Sequence, residues 1–135
     1  MTQNEKDLLL KDLCARLPYG VWLEQKLKSC KFGAKCMLHA HDIDAFERGQ
    51  YDYCKPYLFP LSSMTEEQYY ELQNVSGEDC MEHMEIEKEW RNNSPFTHLP
   101  LYQHRVIEFF HKYHFDYRGL IPMGLAIDAT SKNIY

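Results

Sequence analysis

The stretch HKYHFDYRGLIPMGLAI, His111 to Ile127, crowds two histidines, an aspartate, an arginine and several aromatics into one segment. It is either a site of chemistry or the end of a helix folding back onto its core, and the choice decides the fold. Upstream, Tyr102, Val106, Phe109, Phe110 and Tyr113 recur at three- and four-residue intervals, the spacing of a single helical face. Pro100 suits the first turn of that helix, where a missing N–H costs nothing. After His114 the period fails, Gly119 offers a left-handed position, and LIPMGLAI returns as an apolar extended segment that should finish against a sheet. Closure is therefore expected: Phe115, Tyr117 and Leu120 pack back on Phe109, Phe110 and Tyr113, while Asp116 and Arg118 tie the loose backbone groups of the reversal. Tyr117 and Arg118 are also residue types that serve as buried anchors in interfaces, which makes them the candidate partner-binding pair.

Working outward, Thr2 and Glu5 have the spacing of a capping box, so a first helix should follow. Leu10, Leu13, Cys14 and Leu17 give it an apolar face, and Pro18 with Gly20 ends it. In VWLEQKLK, Val21, Leu23 and Leu27 alternate with polar neighbours as in a strand with one wet side, Gln25 breaking the inner row. SCKFGAK reads as a turn into a second strand over Cys36 to His41. Signals from Asp42 to Gln50 conflict, with Ile43 and Phe46 suiting a helical turn. Pro56 and Pro60 remove backbone donors, so CKPYLFPLSS is expected to be an edge strand or ordered loop. Ser63 with Glu66, or Thr65 with Gln68, starts a helix running to about Val75. Six acidic residues against Lys88 make Glu78 to Glu89 a solvated face or a surface for a basic partner.

The whole is expected to be α+β: a small, mostly antiparallel sheet packed by an N-terminal helix, a middle helix and a long C-terminal helix. At 135 residues, 44% of them hydrophobic, there is material for one core, so residues 1–135 should form a single domain. A net charge of -5 works against long-range attraction to phosphates. Nucleic acid is thus an unlikely partner, unless Lys26, Lys28, Lys31 and Lys35 around the hairpin form a local patch. No apolar run approaches the roughly 20 residues that a membrane helix needs, and the first residues do not resemble a secretory signal. Five cysteines without a CxxC pair suit reduced thiols, and with the other signals imply a soluble, cytoplasmic protein.

Chemistry has few footholds. His104, Glu108 and His111 sit at i, i+4 and i+7, a spacing that could hold a divalent metal for a small hydrolase, although a stripe opposite the apolar face is ordinarily just wet. His39 and His41 would point the same way from a strand, with Asp42 or Asp44 adding oxygen. Cys36 or Cys54 beside a histidine would make a nucleophile pair. No HExxH, GxSxG, P-loop or GxGxxG motif occurs, so no cofactor and no catalytic residue is expected.

LLLKDLCARLPYGV (Leu8–Val21), KPYLFPLSSMTEE (Lys55–Glu67) and HFDYRGLIPMGLAI (His114–Ile127) resemble the signature blocks of an uncharacterised family of small proteins from gut anaerobic bacteria and their phages or other mobile elements. That resemblance brings no activity and no ligand residues with it. Glu78 to Trp90 departs from the family pattern. Together with the acidity, the ten tyrosines and the missing catalytic motifs, it implies a noncatalytic accessory module that binds another protein.

Overall fold

The first helix starts where its orphan donors find partners. In the computed structural model, which describes residues 1–76 and 104–135, Glu5 N–H donates to Thr2 Oγ1 (3.1 Å) and Thr2 N–H donates to Glu5 Oε2 (2.9 Å). This capping box opens α1 (Gln3–Arg16). A short 3-10 turn, Leu17–Tyr19, and Gly20 in the left-handed region (φ 73°) then turn the chain into β1 (Trp22–Leu27). β2 (Ala34–Met37), α2 (Ala40–Glu47), β3 (Tyr51–Pro60), α3 (Glu66–Ser76), α4 (His104–Lys112), β4 (Phe115–Asp116) and β5 (Ile127–Asp128) follow. Of the two possible caps for α3, the chain uses Thr65 with Gln68, whose backbone and side-chain groups bond reciprocally at 2.9 and 3.1 Å.

The fold is α+β, but its sheet is mixed. β1 pairs antiparallel with β2 and with β3, whereas β3 pairs parallel with β4 and β5 over two residues each. The expected apolar strand over LIPMGLAI is mostly turn, and only Ile127–Asp128 joins the sheet. α4 is described over nine residues, and the expected positions Pro100 and Tyr102 lie outside the described residues, as does the acidic run from Glu78.

CKPYLFPLSS was expected at an edge, yet β3 is the longest strand and is bonded to three others. Hydrogen-bond phase explains how the prolines fit. Leu38 N–H donates to Val21 C=O at 2.9 Å, so bonded β1–β2 pairs recur at Leu23↔Cys36 and Gln25↔Ala34. Trp22 and Glu24 therefore turn their backbone groups toward β3, where Glu24 faces Lys55. Pro56, one position on, directs its nitrogen away from β1, so no bond of that ladder is lost. Pro60 is the last residue of the strand.

Two apolar clusters meet at β3. One holds Leu9 and Leu13 of α1 against Val21, Leu23, Phe46, Cys54, Leu58 and Leu120. The other holds Leu72 of α3 with Val106, Phe109 and Phe110 of α4, closed by Phe115 and Tyr117. The aromatic tail packs as its pattern implied, with Phe109 stacked on Phe115 and Phe110 on Tyr117. Leu120 instead joins the first cluster.

α1 corrects the expected helical face. Its buried stripe is Leu9, Asp12, Leu13 and Arg16, while Cys14 is exposed. A charged pair thus occupies half of the inner row. Asp12 Oδ2 accepts from Arg16 Nε at 2.7 Å, and its Oδ1 accepts from Arg118 Nε at 3.1 Å. Arg16 Nη2 donates to the Phe115 carbonyl at 2.7 Å, while Nη1 has no hydrogen-bond partner. Burial works against the Arg16 charge, but Asp12 beside it, together with Tyr117 and Asp116, outweighs that and holds its pKa above the ordinary value. Both guanidiniums also stand over the Tyr117 ring, at 5.3 and 5.0 Å from its centroid.

A second clasp involves His114, whose backbone is left-handed (φ 60°) and whose carbonyl accepts from Phe59 N–H. Its ring stacks on Tyr135 at 3.8 Å. The Tyr135 hydroxyl accepts from Trp22 N–H (2.9 Å) and donates to the Tyr57 carbonyl (2.8 Å), linking β1 to β3.

Two stability predictions follow from these contacts. Asp12→Ala leaves Arg16 buried and uncompensated, and should cost about 3–5 kcal/mol in urea denaturation. Burial and the Arg16 charge lower the His114 pKa from 6.5 to about 4, so the folded state favours the neutral ring. The stability this represents is complete above pH 6.5 and is lost as pH falls toward 4. Asp116, raised by burial, acts in the opposite sense. His114→Asn, which tolerates the left-handed backbone, should therefore flatten the fall in stability between pH 6.5 and 4 measured in the parent protein.

Candidate functional site

The residues nominated for chemistry are placed one by one by their elements. α4 carries Glu108 on an exposed position, but His111, expected to be wet, is 6% exposed. Its Nε2 shares a 2.6 Å hydrogen bond with the Tyr117 hydroxyl, and its ring lies 5.3 Å from that of Tyr19. His111 sits beside Phe110 on a helix buried over more of its circumference than the apolar pattern indicated. The side chain of His104 lies outside the described residues. Among the described residues, no three His, Cys, Asp or Glu side chains gather closely enough to hold a metal ion.

His39 and His41 do not project from a strand, because β2 ends at Met37 and α2 begins at Ala40. His39 Nδ1 donates to the Met37 carbonyl at 2.8 Å, and the two imidazoles stack at 5.5 Å. The Asp42 carboxylate is committed: Oδ2 accepts from His39 N–H (2.8 Å) and Oδ1 from the Tyr51 hydroxyl (2.9 Å). Asp44 pairs with Arg48 one helical turn on. This cluster starts a helix and orients it on β3.

The two nominated thiols are suppressed rather than activated. Burial pushes the Cys54 pKa up to about 12 and raises that of Cys36, which also receives a 2.9 Å hydrogen bond from Gln25 Nε2. Among the described residues, no hydrogen bond joins either to a histidine.

Tyr117 and Arg118 face inward. Tyr117 is fully enclosed, and the Arg118 side chain, 11% exposed, is held by Asp12. Asp116 accepts the N–H groups of Leu120 and Ile121, at 2.9 and 2.8 Å, and so secures the reversal as its position implied. In this arrangement the pair closes the core and offers a partner little surface.

A cleft of about 480 Å³ between α3, α4 and Tyr19 is lined by Glu71, Arg105, Glu108, Phe109 and Lys112. Among the described residues its cations and carboxylates are equal in number. Glu71 accepts from Lys112 Nζ (3.0 Å) and from the Tyr113 hydroxyl (2.5 Å), and that tyrosine bond is the chief reason its pKa lies below the ordinary carboxylate value. This described lining offers a ligand no net charge.

The β1–β2 hairpin is different. Its loop, Lys28–Gly33, carries Phe32 at 82% exposure, the most exposed large apolar side chain among the described residues. The loop is held at both ends. Lys28 N–H donates to the Gln50 carbonyl at 2.9 Å, and at Gly33 an added Cβ would meet the Tyr53 hydroxyl at 2.3 Å. Strand alternation sends Leu23 and Gln25 to the core face and Trp22, Glu24 and Lys26 to the outer one, joined there by Lys35 and Met37 of β2. Lys26 pairs with Asp52, and the Lys35 ammonium lies 5.7 Å from the Trp22 ring centroid. Lys28 and Lys31 make no ion pair among the described residues, which leaves a basic rim on an acidic chain.

Comparisons of the chain with protein-family models, with curated proteins and with solved structures find no match. Sequence reasoning located the four lysines but passed over Phe32. Its signal was an aromatic beside the one glycine of a polar turn, where no core position is available.

The thiol environments predict an order of alkylation. Exposed Cys14 and Cys30 should react first with iodoacetamide, Cys36 more slowly, and Cys54 only on unfolding, as read by mass spectrometry of the modified peptides.

Proposed function

We propose that the protein is a noncatalytic accessory module that binds another protein, and that the β1–β2 hairpin is its contact surface. The observation that carries this reading is Phe32, a large apolar side chain in water on a loop held at both ends. Exposure of that kind wastes apolar area in the free protein and recovers it when a partner covers the ring. The inward commitments of Tyr117, His111, Cys54 and Asp42 support the reading, since each already has a role in packing or in closing a polar group. A mobile-element origin, which the family resemblance implies, would make the partner a component of host machinery.

The test is a photo-crosslinking residue at position 32, with a second at Arg105 as control, used in cells and followed by identification of the captured protein. Phe32→Ser should weaken the purified complex by roughly tenfold or more. The same variant should move the melting temperature by no more than about 1 °C, because the side chain has few contacts to lose. Equal affinity in the variant, or capture only from position 105, overturns the assignment.

A further inference from the structure

The hairpin also ends the sheet. β2 pairs with β1 alone among the described strands. Since Leu38, Cys36 and Ala34 bond toward β1, the intervening Lys35 and Met37 turn their backbone groups outward. The Met37 carbonyl is taken by His39 Nδ1, which leaves the Lys35 N–H, the Lys35 carbonyl and the Met37 N–H without a strand partner among the described residues. Sheet edges are commonly blunted by a proline, a bulge or a charged side chain held across them. β2 has no proline, and the sheet's bulge lies in β1 at Lys26/Leu27, against β3. Lys35, the one charge in β2, has its ammonium drawn over Trp22 on the outer face.

Charge selects what can add there. Lys28 and Lys31 stand in the loop that leads into β2, unpaired among the described residues, and Lys35 follows within the strand, all on a chain of net charge -5. A basic segment would meet these three lysines at close range, whereas an acidic one would complement them. We infer that the open edge of β2 accepts an extended acidic segment of the partner protein as an added strand, with Phe32 covered by an apolar side chain of that segment. This rests on the hairpin being the contact surface. It adds the partner's chemistry and conformation: main-chain bonds to Lys35 and Met37 give affinity, and the lysines set the sign of charge.

Selection of a displayed library of short random peptides against the full chain tests the inference. Enriched peptides should alternate acidic with β-branched or aromatic residues, bind more weakly as salt rises, and slow hydrogen exchange at the amides of Lys35 and Met37 in the parent protein. Lys35→Pro, checked for an unchanged fold by thermal melting, should lose roughly tenfold or more in affinity. Lys35→Ala, which removes the charge but keeps the N–H, should lose less. If selected peptides need Phe32 but are not acidic, or leave both amides unprotected, the hairpin remains the contact surface and strand addition fails. If no selected peptide depends on Phe32, both fail. Tighter binding of a single-stranded oligonucleotide than of any acidic peptide would overturn the protein-segment assignment in favour of nucleic acid.

Discussion

One buried carboxylate organises the fold. Asp12 receives two guanidiniums, Arg16 from its own helix and Arg118 from the far end of the chain, and Arg16 continues to the carbonyl of Phe115. Such groups are expensive to remove from water, and their interaction offsets that cost only when the geometry is satisfied. Here the bonds tie α1 to the segment that follows α4. They cross from the first apolar cluster to the second, so neither cluster is independent of the other. Tyr117, beneath both cations, completes the joint and passes a hydrogen bond to His111. The segment that appeared rich in chemistry is therefore the joint itself. Its histidine, arginine and tyrosine are there to satisfy one another.

With those groups committed inward, the proposed contact surface lies at the opposite border of the sheet. The hairpin is held by Tyr53 against Gly33 and by Gln50 against Lys28, which positions Phe32 and the edge of β2 without borrowing from the core. The α3–α4 cleft, whose described lining charges cancel, has no comparable asymmetry.

Much of this is legible in the sequence, for reasons that differ from residue to residue. The Thr2/Glu5 cap, the β1 alternation, the apolar face of α4 and the left-handed Gly119 (φ 76°) are local, and local patterns survive folding. The burial of Asp12 and Arg16 was not legible, because their partners come from Phe115 and Arg118. α1 was accordingly assigned a face rotated from the real one. Pro56 misled in another way: a proline is excluded from a ladder only on the side its nitrogen faces, and that phase depends on pairing. His111 was read as wet from helical spacing, whereas the Tyr117 hydroxyl draws it inside. Phe32 went unremarked because exposure is a tertiary property.

The long reach of the Asp12 joint bears on how the chain is made. Its bonds span 99 and 106 positions, from Arg16 to Phe115 and from Asp12 to Arg118. During synthesis, α1 leaves the ribosome with Asp12 and Arg16 able to pair with each other but long before Arg118 and the Phe115 carbonyl can complete the joint, and closing so wide a loop is entropically slow. Until residues 115–118 emerge, the inner row of α1 keeps its water, and the nascent amino-terminal half has reason to remain open rather than collapse on an incomplete interior.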